Sequence, residues 1–257
     1  MISKKVNKIN RLLSSQPSGI VLTSTWLKDQ GYSLELQKQY RKSKWFEAIG
    51  TGAMIRHGDK VDYLGGVLAL QNQLGLSIHP AAKTALAIQG KAHYLEFSNL
   101  QVQLFGSRKD TLPLWFKNRD WGVNVECKLT SFLPPKLGLV EIEHKTFTIL
   151  VSSPAKAIME CLYLAPRAQS LLETYQLMEG LNNLRPKTVQ TLLEACSSIK
   201  VKRLFLFMAD KAGHDWLNYL QLENVDLGSG KRALVSDGVY ISKYQISIPK
   251  ELAEVGL

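Results

Sequence analysis

Cysteine is scarce in this chain of 257 residues: Cys127, Cys161 and Cys196 stand alone and far apart. They are too few for a disulfide framework, and an all-cysteine zinc site needs closely spaced ligand pairs that are missing. Each reads as a small buried apolar side chain in a reducing compartment. No run of about 18 consecutive apolar residues occurs, so no membrane-spanning helix is expected. The basic start (Lys4, Lys5, Lys8, Arg11) has no apolar core behind it of the kind a secretion signal carries. Internal repeats and low-complexity tracts are missing too. The expectation is a soluble, uncleaved, cytoplasmic protein, and a 45% share of hydrophobic residues supplies a sizeable core for one or two domains.

Catalytic signatures are missing as well. The five histidines (His57, His79, His93, His144, His214) form neither H-E-x-x-H nor an i, i+4 pair, and G-x-S-x-G does not occur. Asp226 to Arg232 reads D-L-G-S-G-K-R, close to the end of a phosphate-binding loop. Val225 stands where that loop needs its first glycine, however, and Arg232 where it needs a magnesium-binding hydroxyl. Gly106-Ser107 resembles the start of a nucleotidyltransferase site, but Asp120 is followed by Trp121 and Gly122 and no second carboxylate is there to hold a metal. No enzyme, metal or cofactor is expected from these residues.

What is present is positive charge at one end. The formal charge is +10, of which +7 falls in residues 1–60 and +3 in the rest. Such a concentration suits a polyanion, because each neutralised phosphate releases condensed counterions; a solvated basic face is the plainer reading. The same 60 residues read as three helices and a two-stranded ribbon. Val6, Ile9, Leu12 and Leu13 recur at helical spacing in residues 3–14. After an extended link at Gly19 to Val21, Thr23 or Ser24 caps a helix with Trp26 and Leu27, ended by Gly31. Ser33 offers the N-cap of a third helix, residues 34–43, and residues 45–49 and 53–55 form strands joined by Gly50-Thr51-Gly52. Three short helices and a hairpin make a winged helix-turn-helix, with the third helix in the recognition position.

Residues 61–92 carry two further helical patterns, one with Leu64, Val67, Leu68, Leu70 and Leu74, the other from Pro80 with Leu86 and Ile88. From His93 the period becomes two. Strands are expected at Tyr94 to Phe97, Val102 to Phe105, Val123 to Thr130, Leu139 to Ile142 and Thr146 to Val151, with little room for crossover helices. Ser153-Pro154 opens a helix, and others run over 170–179, 186–196 and 201–212 before final strands at 239–241 and 244–248. The fold class is α+β: a winged helix-turn-helix domain with linking helices (1–92, core 1–60) and a larger α+β domain (93–257) with an antiparallel or mixed sheet and several helices.

Several stretches carry a family resemblance. Tyr40-x-x-Ser43-x-Trp45 followed by Ile49-Gly50-x-Gly52-Ala53 resembles the passage from recognition helix to wing in AbiEi-type antitoxins, the transcriptional regulators of type IV toxin-antitoxin systems. Leu70 to Leu74 with Lys83-Thr84-Ala85-Leu86 and Gln89-Gly90, Ser153-Pro154-x-Lys156-Ala157, Leu184-Arg185-Pro186-Lys187 through Lys202-Arg203-Leu204, and Gly228 to Arg232 are similar to later parts of that family. Met54 takes the place of a common wing aromatic. Ala155 replaces a frequent glutamate, which would alter a surface of the larger domain. The resemblance implies a regulator that represses its own operon by binding inverted repeats in double-stranded operator DNA. It also implies that the larger domain counteracts a cognate nucleotidyltransferase toxin, with direct contact left open.

The site expectations follow. Leu36, Tyr40 and Trp45 form core, so Lys38, Arg41 and Lys42 face the DNA groove or its phosphates; Lys44 and Arg56 reach phosphate near the wing, and Gly50 and Gly52 shape the wing turn. In the larger domain the stretch Lys200, Lys202, Arg203 and the pair Lys231, Arg232 are candidates for an antitoxin surface. Two other readings stay open at this point: an enzyme acting on nucleic acid, with the winged domain delivering substrate, and an adaptor whose winged domain binds protein.

Overall fold

The computed structural model describes residues 8–91, 101–233 and 238–254. Helix α1 (Lys8–Ser15) buries Ile9 and Leu12, three apart on one face; Val6 and the first turn expected for this helix lie outside the described residues. Strand β1 (Leu22–Thr23) follows one residue later than the expected link, then α2 (Ser24–Asp29), α3 (Leu34–Lys42), β2 (Phe46–Gly50) and β3 (Ala53–Arg56). The three strands pair antiparallel in the order β1-β3-β2, with Leu22 opposite Met54 and Phe46 opposite Arg56. β3 is central and all three of its apolar residues are buried; Met54 fills the gap left by the missing aromatic. This is a winged helix-turn-helix.

Helix α4 (Tyr63–Asn72) is capped by Asp62, whose Oδ1 accepts from the Leu64 and Gly65 N–H groups. Just past its end, Gln73 lies along the open side of β1: its Oε1 accepts from Thr23 N and its Nε2 donates to Val21 O, both at 2.8 Å. One amide side chain thus satisfies backbone groups that an edge strand would leave bare.

The chain then runs through β4 (His79–Pro80), α5 (Ala82–Ile88), β5 (Gln101–Ser107), α6 (Leu114–Lys117), β6 (Asn124–Thr130), β7 (Leu139–His144) and β8 (Phe147–Ser152). The strand expected at Tyr94 to Phe97 falls outside the described residues. Two compact units result. One holds the residues up to His79 together with Lys109–Val125 and Glu141–Leu150; the other holds Pro80–Arg108, Glu126–Val140 and the residues from Val151 on. Two stretches late in the chain therefore pack with the winged core. Trp115 and Phe116 on α6 and Trp121 form a cluster with ring centroids 5.7 and 5.1 Å apart. This cluster lies so close to the helices and wing that a Cβ on Gly66 would come within 2.7 Å of the Trp121 ring, and one on Gly50 within 2.8 Å of the Trp115 Cβ. The turn of the β7-β8 hairpin is fastened too: His144 Nε2 and Lys145 Nζ reach Asp62 Oδ2 at 2.9 and 2.7 Å. Burial opposes ionisation of Asp62, but the hydrogen bonds from Lys145 and His144 outweigh it and hold the carboxyl below its usual range.

In the second unit α7 (Pro154–Leu164) runs through the core, with α8 (Leu171–Glu179), α9 (Pro186–Ala195) and α10 (Ile199–Lys211) around it. Ser153 caps α7 and Pro154 takes its first position, as their order in the sequence implies. Ala155 is buried, so the departure from glutamate repacks the interior and does not alter a surface. Glu160 on α7 is fully buried and accepts from Ala82 N at 3.0 Å and Ser152 Oγ at 2.9 Å, which holds Ala82 at φ 47° where α5 begins. The strands form separate small sheets: β4-β5-β6, the β7-β8 pair, and a mixed sheet in which β11 (Ile246–Ile248) is antiparallel to β10 (Val239–Ile241) and parallel to β9 (Arg232–Ala233). Helix α11 (Lys250–Glu254) follows. Cys161 and Cys196 are buried as expected; Cys127 is only half-buried, because alternate residues of β6 stay exposed. Among the described residues, no helix is long and apolar enough to cross a membrane.

Candidate nucleic-acid interface

α3 is locally encoded at both ends. Ser33 Oγ accepts from Leu36 N, and at the other end Trp45 N donates to Tyr40 O while Lys44 N donates to Arg41 O. That pair of bonds is the Schellman closure, which places the residue after the cap in the left-handed region; here it is Lys44, at φ 58°, where glycine is usual. The helix is set against α2 by Gln37, buried to 1%, whose Nε2 donates to Ser24 O and Tyr32 O.

Gln37 and Tyr40 therefore make the buried face of α3, with Leu36 half-buried. Trp45 is 46% exposed and does not join that core: the chain turns at Lys44, and Phe46 goes inside instead, 6.0 Å from the Tyr40 ring. On the other faces Lys38 and Lys42 are exposed and Arg41 is half-buried, with Lys44 exposed beside them. None of these four cations has a hydrogen-bond or ion-pair partner among the described residues. Arg56 is different. Its Nη2 donates to the carbonyls of Leu13 and Gln16, so the guanidinium caps the end of α1 and is not simply free for phosphate, as the sequence had suggested.

The wing glycines separate into two roles. Gly52, at φ 81°, has open space where a Cβ would go and serves the turn, whose carbonyl also accepts from Ser24 N at 2.8 Å. Gly50 closes β2 after a register shift, and its lack of a side chain admits the backbone of Trp115. Turn shaping is thus half of the matter; the other half is close packing by a segment far along the chain.

In the second unit the expected antitoxin surface shrinks. Lys202 and Arg203 are 3% and 2% exposed, a correction to their reading as surface charge. Arg203 is surrounded by carbonyl groups: Nε donates to Leu227 O, Nη1 to Gly230 O and Gln245 O, and Nη2 to Gly228 O and Gln245 Oε1, at 2.7–3.4 Å. Lys200 Nζ is likewise engaged, with Tyr163 O and Ala165 O, and burial together with the Arg167 charge lowers its pKa. Lys231 and Arg232 remain exposed, Lys231 lying 5.0 Å over the Tyr240 ring. Among the described residues no group of three or more His, Cys, Asp or Glu is placed to hold a metal ion.

Comparison with known proteins gives this arrangement a family. A model described as the N-terminal domain of transcriptional regulators of the AbiEi antitoxin type matches residues 5–97, and one described as a transcriptional regulator, AbiEi antitoxin, of a type IV toxin-antitoxin system matches residues 99–249. Among solved structures, the RV2827C protein from Mycobacterium tuberculosis superposes with a TM-score of 0.55 over 93% of this chain and 88% of that one, at 12% identity, a likeness of fold alone. No curated protein matches. With a winged helix-turn-helix followed by a larger α+β part, and with both family models matched in that order over nearly its whole length, the chain belongs to the AbiEi antitoxins, transcriptional regulators of type IV toxin-antitoxin systems.

Proposed function

We propose that the protein is an autorepressor that binds inverted repeats in its own double-stranded operator through residues 1–92, and that residues 93–257 counteract a cognate nucleotidyltransferase toxin in the cytoplasm. The observation that supports DNA binding best is the row of unpartnered cations on and beside α3: Lys38, Arg41, Lys42 and Lys44 surround the element that a winged helix-turn-helix lays in the major groove. For the second function the candidate surface narrows to Lys231 and Arg232, on the loop that Arg203 holds in place. Direct contact with the toxin is not required by this reading.

The test of DNA binding is a shift assay on duplex from immediately upstream of the gene, with the full chain. Replacing Arg41 and Lys42 together by Ala should weaken binding and flatten its salt dependence by about 0.9 slope units per lost phosphate contact. Unchanged affinity and slope in a folded double variant would remove α3 from the interface.

Lys44 supplies a second expected result, in which stability and binding move in opposite directions. A lysine at positive φ costs about 1 kcal/mol relative to glycine, less what glycine adds in unfolded-chain entropy. Lys44→Gly should therefore be as stable as the natural protein or up to about 1 kcal/mol more stable in urea, while binding operator more weakly. A variant of unaltered affinity would show that the strained lysine is not a DNA contact.

A further inference from the structure

The outward side of α3 holds more than cations. At about 100° per residue, Glu35, Lys38, Gln39 and Lys42 all lie within about 50° of the direction opposite the buried Gln37–Tyr40 face. All four are exposed, and none has a partner among the described residues. Glu35 occupies the first turn, the end of a recognition helix whose side chains reach base edges. A carboxylate brought to a polyanion is repelled unless it accepts a hydrogen bond there. The major groove offers it two donors, the amino groups of cytosine and adenine. Adenine's stands beside the N7 acceptor, which opposes a second acceptor, so cytosine N4 is the match. Gln39, one turn on, carries a donor and an acceptor together, the pair that fits adenine N7 and N6. Four residues of helix advance about 6 Å, or about two base-pair steps.

We propose that Glu35 and Gln39 determine sequence specificity: Glu35 selects a cytosine and Gln39 an adenine about two steps away in each half-site, while Lys38 and Lys42 beside them hold phosphate. This rests on the reading of α3 as the helix that enters the groove. The favourable placing of an acidic residue near a helix N-terminus explains why Glu35 is tolerated in the fold, but it predicts nothing about base choice.

The experiment is selection from a randomised duplex library by the full chain and by Glu35→Ala, Glu35→Gln and Gln39→Ala, followed by affinities for the selected duplex and its single-base variants. The natural chain should enrich a C·G pair and an A·T pair about two steps apart, each discriminated about five- to 150-fold against the wrong base. Glu35→Ala should lose the preference at the C·G pair alone and bind unrelated duplex as well or better, since a repelling charge is gone. Glu35→Gln should change that preference from cytosine to adenine, and Gln39→Ala should lose only the A·T preference. A selected sequence that is the same for all four proteins would overturn the assignment while leaving DNA binding intact. Failure of the natural chain to retain any duplex above an unrelated sequence would instead bring down the DNA-binding reading, and this inference with it.

Discussion

An Arg203→Met protein is expected to lose about 3–5 kcal/mol of the stability of its second unit, seen as a fall in the urea midpoint and as early proteolysis between residues 227 and 233. Methionine restores most of the buried volume, so the loss comes from polarity. The guanidinium serves four backbone carbonyls and one side-chain oxygen, drawn from residues 24 to 42 positions away. Each carbonyl that loses its donor while it stays buried costs about 1–3 kcal/mol, and the chain relieves that cost by releasing the loop to water. Lysine is no substitute, because a point-like ammonium cannot span acceptors on several sides as the planar fork does. Arg203→Lys should therefore fall between the two. A methionine variant that unfolds at the natural midpoint would mean that the loop is held by other contacts.

Gly65→Ala should be almost as damaging in the first unit, by about 3 kcal/mol, although helix propensity alone favours alanine by about 1 kcal/mol. A Cβ on Gly65 would lie 2.0 Å from the Gly19 carbonyl oxygen and 2.9 Å from Val61 Cγ1. The obstacle is backbone, and it is fixed: Gly19 N donates to Asp59 Oδ2, and Val21 N donates to the Gly65 carbonyl two residues later in the same strand approach. To admit the methyl group, the segment entering β1 has to move away from α4. Gly75→Ala is the control, since open space surrounds that position and only its positive φ opposes substitution. If Gly65→Ala unfolds no earlier than Gly75→Ala, the close approach of loop and helix is not a determinant of stability.

The two cases show where sequence and structure part. Elements specified by neighbours in the chain are legible: Ser33 and its helix, Ser153-Pro154 at the head of α7, and the positive-φ Gly52 all announce themselves within a few residues. Arg203 is misread as surface because charge near charge suggests a solvated face. The contrary signal lies in its company, for Val201, Leu204, Phe205, Leu206, Phe207 and Met208 surround α10 with apolar side chains and leave no polar stripe for a cation to occupy. Gly65-Gly66 inside a helical pattern similarly signals that something comes close, but what comes close, the Gly19 carbonyl and the Trp121 ring, is settled by tertiary packing. α6 is illegible for the same reason. Its four residues nucleate no helix of their own, and Trp115 and Phe116 are held by the wing and α4. Arg56 looks free until α1 brings its terminal carbonyls to it. The outward face of α3 could be read from its period; that it carries Glu35 and Gln39 without partners could not.

The bracing of the winged core by Lys109–Val125 and Glu141–Leu150 sets an order of events on the ribosome. At about 5–20 residues per second, the last brace is made some seconds after the recognition helix and wing. Until then the nascent unit lacks the rings that cover Gly66, the backbone that fits Gly50, and the His144 and Lys145 partners of Asp62. A transcript broken before codon 150, or a stalled translation product, thus yields a reader of the operator that is short of its own supports. Repression would then count chains translated past β8, and not chains merely begun.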